Sequence, residues 1–148
     1  MAITIRAIRA EDRAEWLELW KAYLDFYEVE LEAATTAVTF QRMTSSPPGI
    51  HGAIARDDDG RAIGIVHWLT HAATWAPAGY CYLEDLYVAA DARGHGAGEA
   101  LIEYVRAGAR QQGVAKVYWL TAETNAVARG LYDRVASRSG FVHYEIEL

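Results

Sequence analysis

The stretch YLEDLYVAADARGHGAGEAL, residues 82–101, decides the fold of this chain, because it predicts a buried strand, a short loop and the start of a helix. Leu83, Leu86 and Val88 are residue types that a buried strand favours. Apolar residues then recur at helical spacing, which predicts one apolar helix face: Ala100, Leu101, Ile102, Val105 and Ala109. Glycines at positions 94, 96 and 98 leave no β-carbons at alternate positions where the chain turns into that helix. The sequence therefore predicts first-turn N–H groups that are open to a ligand.

A helix entry of this kind suits an anion. The first-turn N–H groups have no partner within a helix and carry a partial positive charge, so they bind phosphate well. Arg93 adds a permanent cation that can hold phosphate through two hydrogen bonds. A P-loop is excluded because Glu99 and Ala100 follow Gly98, and a dinucleotide fingerprint is excluded because Glu99 stands at its last glycine position. A phosphate-binding loop of another type and a ligand-free helix entry both remain open at this point.

Two motifs in this order resemble those of the GCN5-related N-acetyltransferases, the GNAT superfamily. The first is RGHGAG at residues 93–98, which is similar to the loop that binds the acetyl-CoA pyrophosphate in that family. The second is NAVARGLY at residues 125–132, which matches the family pattern N-x-x-A-x-x-L-Y. The segments LEDLYV at 83–88 and VYWLT at 117–121 further resemble the diamine acetyltransferases and the histone and D-amino-acid acetyltransferase branch.

This resemblance implies a set of residues for acetyl-CoA. It assigns the strand end to the pantetheine arm, the glycine loop to the pyrophosphate, and the second motif to the pantetheine and the sulfur. The implied binding residues are Leu86, Tyr87, Val88, Arg93, Gly94, His95, Gly96, Ala97, Gly98, Asn125, Ala128 and Tyr132. His95 is expected to act through its backbone N–H, with its ring facing solvent. Asn125 also suits a helix N-cap.

The resemblance also implies the catalytic groups. Tyr132 corresponds to the tyrosine that gives a proton to the departing CoA thiolate, and a backbone N–H near Val88 would stabilise the oxyanion. Glu84 corresponds to the carboxylate that accepts the proton of the amine, either directly or through water. Glu84 and Asp85 are expected on opposite faces of the strand if that strand is regular, with Asp85 packed or hydrogen-bonded behind it.

Composition limits the class of protein. The chain has 148 residues, of which 52% are hydrophobic and 23% charged, so one domain over residues 1–148 is expected. Cys81 is the single cysteine, so no internal disulfide can form, and a reducing, cytoplasmic location is expected. A net charge of −6 argues against nonspecific nucleic-acid binding. Eight carboxylates lie between Glu11 and Glu32; they form either a solvated helix face or a field that attracts cationic amines.

Hydrophobic periodicity and turn residues predict the order of elements βααβββαβαβ, an α/β fold with a mixed sheet. The predicted strands are 3–8, 51–56, 62–69, 80–88, 116–121 and 141–147, and the predicted helices are 10–27, 35–43, 98–112 and 125–135. Residues 57–60 form the turn of a hairpin, and residues 71–79 are expected to be a loop. His67 and His71 have no carboxylate or cysteine ligand nearby in the sequence, so no metal site is expected.

The resemblance implies transfer of acetyl from acetyl-CoA to a primary amine by direct attack in a ternary complex. A small acceptor such as a polyamine or an amino acid is expected, and Trp68 and Trp75 would suit its ammonium group. Tyr23, Phe26 and Tyr27 are core residues or line the acceptor pocket. Two alternatives stay open: a protein lysine or N-terminus as acceptor, and an acyl-CoA-binding regulatory module without turnover. A homodimer is implied by the resemblance alone. The sequence identifies neither the acceptor nor the length of the acyl group.

Overall fold

The computed structural model describes residues 1–148, and its five strands form one sheet in the order β1-β2-β3-β4-β5. The strands are β1 (Thr4–Ala7), β2 (His51–Arg56), β3 (Ala62–Ala73), β4 (Ala76–Val88) and β5 (Val117–Tyr118). The helices are α1 (Arg13–Phe26), α2 (Ala33–Thr44), α3 (Ala97–Gln112) and α4 (Ala126–Val135), with 3-10 turns at Ala10–Asp12 and Ala90–Ala92. Strands β1 to β4 pair antiparallel, whereas β4 and β5 pair parallel across α3. The predicted α/β fold with a mixed sheet is confirmed.

The sheet has a hydrophobic core on each face. On one face, α3 buries Leu101 and Val105 against β3 and β4. On the other face, α1 and α2 bury Trp16 and Phe40 against the same sheet. Neighbouring strand residues alternate between the two faces, so that Ile65 belongs to the α1 core and the adjacent Val66 to the α3 core. Both faces of the central strands are therefore covered by helices.

The helix boundaries agree with those predicted from the sequence to within a few residues. Gly113 ends α3 in the left-handed conformation, with a φ of 72°, as expected of a C-cap glycine. Asn125 caps the start of α4 by accepting a hydrogen bond from the N–H of Ala128. None of these helices combines the length and the apolar character needed to cross a membrane.

Part of the N-terminal acidity is structural. Asp12 is only 2% exposed and receives hydrogen bonds from Arg6 at 2.6 Å and from Arg56 at 3.1 Å. The hydrogen bond from Arg6 holds the pKa of Asp12 below its ordinary value. Glu15 pairs with Arg56 at 2.8 Å. These two carboxylates stabilise the packing of α1 on β1 and β2 and leave a smaller charge for attracting a ligand.

Strand β4 is irregular at the two acidic residues. Leu83 pairs with Trp68 and Asp85 pairs with His67, which leaves Glu84 as the extra residue of a β-bulge. The side chain of Leu83 packs in the α3 core, whereas that of Asp85 reaches His67 and Tyr23 on the α1 side. The expectation that Asp85 is hydrogen-bonded is met by these two contacts. The expectation that it faces away from Glu84 applied to a regular strand, and the bulge turns Asp85 toward α1.

Strands β4 and β5 diverge just before this bulge. Their pairing consists of Cys81 with Val117 and Tyr82 with Tyr118, so residues 83–88 of β4 have no partner on that side. Strand β5 is consequently shorter than the predicted strand 116–121, since its neighbour turns away. A wedge opens between the two strands, and the backbone groups of β4 that point into it are free to bind a ligand.

The prediction of a loop over residues 71–79 is wrong. Strand β3 continues to Ala73 and β4 begins at Ala76, so the two form one long hairpin. Gly79 has a φ of +87°, and a β-carbon there would collide with the carbonyl oxygen of His71. The glycine allows the two backbones to approach, which keeps the ladder intact past the irregular register between His71 and Ala73.

The predicted closing strand over residues 141–147 is also wrong. Residues 136–148 contain no helix or strand, and Phe141, Tyr144 and Ile146 are 84–89% exposed. A strand requires a partner for its backbone groups, and the two residues of β5 offer almost no ladder to extend. Alternation of apolar and polar residues in FVHYEIEL therefore marks a segment able to become a strand, but one that has no partner within the chain.

Candidate active site

A cavity of about 470 Å³ lies in the wedge where β4 leaves β5, between the start of α3, the side of α4 and the end of α1. Most of the residues that the sequence motifs pointed to line it. These are Leu86, Tyr87, Val88, Arg93, Gly94, Gly96, Ala97, Gly98, Asn125, Ala128 and Tyr132. Tyr87 and Asn125 are 38 positions apart in the sequence, and both line this cavity.

One end of the cavity is built for an anion. Gly94 and Gly96 have φ angles of +84° and +85°, a region that residues with a β-carbon adopt at a cost. Gly96 is the N-cap of α3, and the first intrahelical bond there runs from the Ala100 N–H to the Gly96 carbonyl. The N–H groups of Ala97, Gly98 and Glu99 precede that bond, so they are directed at whatever occupies the helix entry.

The third loop glycine has a packing role. A β-carbon at Gly98 would lie 3.1 Å from Cδ2 of Leu131 on α4, closer than ordinary side-chain contact. Gly98 therefore allows α4 to approach α3. This contact brings the second sequence motif next to the first.

Arg93 is held beside the same helix entry. Its Nε donates a hydrogen bond to the carbonyl oxygen of Val88 at 3.1 Å. The guanidinium carbon lies 5.8 Å from the ring centroids of both Phe26 and Tyr87. These contacts fix the guanidinium at the cavity wall, where its Nη groups are available to an anion such as a phosphate.

Asn125 uses its side chain within the protein. Its Oδ1 accepts from the Ala128 N–H at 3.4 Å, and its Nδ2 donates to Oγ1 of Thr121 at 3.5 Å. The N-cap interpretation of this residue is therefore what the structure shows. Asn125 also lines the cavity, so the same side chain would need to exchange these long hydrogen bonds to contact a ligand.

Tyr132 projects from α4 into the cavity. Burial raises its pKa to about 12, with a smaller contribution from the charge of Tyr27. Its ring packs edge-on against Trp119, with the centroids 5.4 Å apart. The phenol is thus fully protonated at neutral pH and stands in a fixed orientation beside the strand end, which is where a proton donor is useful.

The end of α1 contributes an aromatic wall to the same cavity. Tyr23, Phe26 and Tyr27, for which the sequence left both a core and a pocket position open, all line the cavity. Trp68 and Trp75 do not. Trp68 is buried in the α3 core and Trp75 is 85% exposed, so the predicted role of these two tryptophans beside the acceptor is wrong.

Two predicted site residues lie outside the cavity wall. Glu84 is exposed at the bulge, where loss of hydration raises the pKa of its carboxyl, the charge of Asp85 raises it further and that of His67 lowers it. His95 has an exposed side chain, as expected for a residue whose backbone alone faces the ligand. Neither of these two side chains contacts the space that the other predicted residues enclose.

A partly buried chain of hydrogen bonds runs inward from the aromatic wall, and its partners were not predicted from the sequence. Tyr23 donates to Oδ1 of Asp85 at 2.8 Å, and Oδ2 of Asp85 lies 2.9 Å from Nδ1 of His67. Trp16 donates its indole N–H to Nε2 of His67 at 2.9 Å. The partners are 18 to 62 residues apart in the sequence. No local pattern relates them, and the adjacent acidic pair at 84–85 was the one available signal.

Comparison with known proteins agrees with this geometry. Residues 14–136 match the acetyltransferase (GNAT) family. The D-amino-acid N-acetyltransferase HPA3 of Saccharomyces cerevisiae strain ATCC 204508 / S288c is 36% identical over 144 residues, which cover 97% of this chain and 89% of that protein.

Solved structures show the same fold. A ribosomal-protein-alanine N-acetyltransferase from Brucella melitensis biovar Abortus 2308 superimposes with a TM-score of 0.82 at 20% identity, with 100% of both chains covered. AAC(6')-Iy in complex with the bisubstrate analog CoA-S-monomethyl-acetylneamine gives a TM-score of 0.82 at 17% identity, with 100% of this chain and 99% of that one covered. With the family match over most of its length and the motif residues gathered around one cavity, the chain belongs to the GNAT family of acetyltransferases.

Proposed function

We propose that this protein transfers an acetyl group from acetyl-CoA to the primary amine of a small molecule by direct attack in a ternary complex. The observation that carries the proposal is that one cavity joins a helix entry suited to an anion to a protonated, half-buried tyrosine. The first suits the pyrophosphate of the donor, and the second suits the sulfur that leaves. The relative HPA3, named as a D-amino-acid N-acetyltransferase, supports an acceptor of small size.

The donor would lie along the wedge between β4 and β5. Its pyrophosphate would accept hydrogen bonds from the N–H groups of the glycine loop and from Arg93. Its pantetheine amides would pair with the free backbone groups at Leu86, Tyr87 and Val88, as an added strand does. The thioester carbonyl would then lie near the end of β4, where a backbone N–H would stabilise the oxyanion.

Two proton transfers accompany the reaction. An alkyl amine has a pKa near ~10, so roughly one molecule in a thousand is free base at neutral pH and its proton must be accepted by some group. Glu84 is the base predicted from the sequence, but its side chain lies outside the cavity wall, so a water molecule would be needed between it and a bound amine. Tyr132 would give its proton to the sulfur as the carbon–sulfur bond breaks.

The alternatives have less support. The similarity to an enzyme named for a ribosomal-protein alanine is at 20% identity and concerns the fold alone. A binding module without turnover would have no use for a protonated tyrosine held inside the cavity. A small-molecule amine is therefore the acceptor class that we favour.

The experiment that tests the proposal is the release of CoA thiol from acetyl-CoA. Spermidine, several D- and L-amino acids, lysine and a histone-tail peptide are offered separately. Strong turnover with one small amine would establish both the reaction and the acceptor class. Turnover with the peptide alone would favour the protein acceptor, tight binding of acetyl-CoA with no turnover would favour the binding module, and failure to bind acetyl-CoA would contradict the proposal.

The glycine loop gives a first prediction, the effect of Gly96→Ala. The β-carbon has space there, but the φ of +85° is strained for alanine, so the loop must either hold about 1 kcal/mol of strain or rotate its N–H groups away. We expect an affinity for acetyl-CoA at least about fivefold weaker, which is the equivalent of 1 kcal/mol. Isothermal titration calorimetry measures it.

Gly130→Ala is the matched control for that variant. Gly130 lies within α4, outside the cavity wall, and has open space around its α-carbon and no positive φ. Alanine should therefore stabilise the helix by about 0.5–1 kcal/mol and leave the affinity for acetyl-CoA unchanged. Equal affinities of the two variants would contradict the role given to the loop conformation.

We also propose a homodimer, and residues 141–148 give a second prediction. Their apolar side chains are exposed without a partner in the chain, a pattern that marks an interaction surface. A truncation after Gly140 is expected to convert a dimer to a monomer in sedimentation equilibrium, while the monomer keeps its affinity for acetyl-CoA. A full-length chain that sediments as a monomer would contradict this proposal.

A further inference from the structure

The side chain of Tyr23 has an unusual pair of surroundings. Tyr23 lines the cavity, and its hydroxyl donates a partly buried hydrogen bond to Oδ1 of Asp85 at 2.8 Å. Burial raises the pKa of Tyr23, and the charge of Asp85 and the hydrogen bond to it add to this, with further contributions from Tyr27 and Tyr132. Tyr132, the group assigned to the sulfur, lines the same cavity as Tyr23.

The hydrogen bonds of His67 and Asp85 determine which way the hydroxyl of Tyr23 donates its hydrogen. An indole N–H can only donate, so Nε2 of His67 must accept from Trp16, and the ring hydrogen of the neutral His67 therefore sits on Nδ1. That Nδ1–H donates to Oδ2 of Asp85 at 2.9 Å. Asp85 thus accepts hydrogen bonds from both His67 and Tyr23, and its side chain is 16% exposed.

This arrangement leaves the oxygen of Tyr23 with one function toward the cavity. Its hydrogen is committed to Asp85, so the remaining lone-pair sites can only accept a hydrogen bond. An attacking amine carries N–H donors and needs an acceptor of this kind at the moment when its nitrogen bonds to carbon. Glu84, by contrast, lies outside the cavity wall and cannot accept from a bound amine directly.

We propose that Tyr23 is the group that accepts the amine proton and that Asp85, held by His67 and Trp16, is the positioning residue that takes the phenol proton in turn. This inference rests on the proposed acetyl transfer. As the nitrogen–carbon bond forms, one amine proton passes to Oη of Tyr23 and the phenol proton passes to Oδ1 of Asp85. The carbon–sulfur bond breaks, and Tyr132 gives its proton to the sulfur.

The reaction balances without any further reactant. Amine and acetyl-CoA become amide and CoA thiol. Asp85 then returns its proton through Tyr23 to water in the cavity, and Tyr132 takes a proton from water. In this scheme the amine proton leaves toward Tyr23 on α1 and the sulfur receives its proton from Tyr132 on α4, two residues that line the same cavity.

The test compares Tyr23→Phe, Asp85→Asn and the double variant with the wild type, on every acceptor in the panel above that the wild type acetylates. Removing a positioned proton acceptor lowers kcat by about 10²-fold or more. We expect such a loss in each single variant and no additional loss in the double variant, because the two groups act as one unit. The affinity for acetyl-CoA should stay within about twofold, since the glycine loop is untouched.

Tyr104→Phe is the matched control, because it also removes one tyrosine hydroxyl. Tyr104 lies on α3, packs against Trp68 and does not line the cavity. The inference is overturned if Tyr23→Phe turns over at the rate of Tyr104→Phe, or if the losses of the two single variants multiply in the double one. A Glu84→Gln variant that alone abolishes turnover would also overturn it. If Asp85→Asn fails to fold, the comparison of kcat between Tyr23→Phe and Tyr104→Phe decides. If the wild type turned over none of the acceptors, the proposed function itself would be contradicted, which distinguishes that failure from a failure of the inference about Tyr23.

Discussion

Replacing Tyr132 by phenylalanine is expected to lower kcat by about 10²-fold or more, the contribution typical of a positioned proton donor. The substitution removes one oxygen atom and leaves the ring against Trp119, so the packing of α4 is kept. The sulfur would then leave as an unprotonated thiolate. Steady-state thiol release measures kcat, and calorimetry shows whether the affinity for acetyl-CoA is kept.

The pH dependence of turnover provides a further test of the role of Tyr132. Burial raises the pKa of Tyr132 to about 12, so the phenol keeps its proton throughout the range in which the amine loses its own. Turnover of the wild type should therefore rise with pH up to about the pKa of the amine, with no alkaline decline caused by Tyr132. A Tyr132→Phe variant with unchanged turnover would remove the acid role, while leaving the donor site as described.

How far the sequence could predict this site depended on how local each signal was. Gly94, Gly96 and the capping Asn125 act within their own loop or helix start, so the two local motifs were enough to place them. The arrangement of Asp85 is different, since it depends on a bulge that inserts Glu84 into β4. Residue types do not mark where a bulge falls, and one extra residue turns every later side chain to the other face.

The C-terminal segment shows a second limit to prediction from the sequence. Alternation in residues 141–147 is typical of a segment that favours the extended conformation, but a strand is a relation between two segments. The partner edge, β5, is cut to two residues by the divergence that opens the cavity. The same feature that creates the site thus removes the ladder on which the closing strand would have formed.

The second large effect is expected on stability, in Trp16→Ala. Trp16 is 1% exposed, stacks on Trp20 at 5.7 Å and packs on Phe40 at 5.2 Å. Removing a buried indole costs about 3–5 kcal/mol in the free energy of unfolding, because apolar contacts are lost and a cavity is left behind. The melting temperature should fall by roughly 10 °C, as expected for a domain of this size.

Trp75→Ala is the control, since the same atoms are deleted from a side chain that is 85% exposed, and its effect should stay within about 0.5 kcal/mol. Trp16→Phe separates packing from hydrogen bonding, because it keeps a ring but leaves Nε2 of His67 without its donor, at a cost of about 1–3 kcal/mol. Chemical denaturation of the three variants measures these differences. If Trp16→Ala unfolded at the same denaturant concentration as Trp75→Ala, α1 could not be packed on the sheet as described, and the aromatic wall that α1 contributes to the cavity would lose its support.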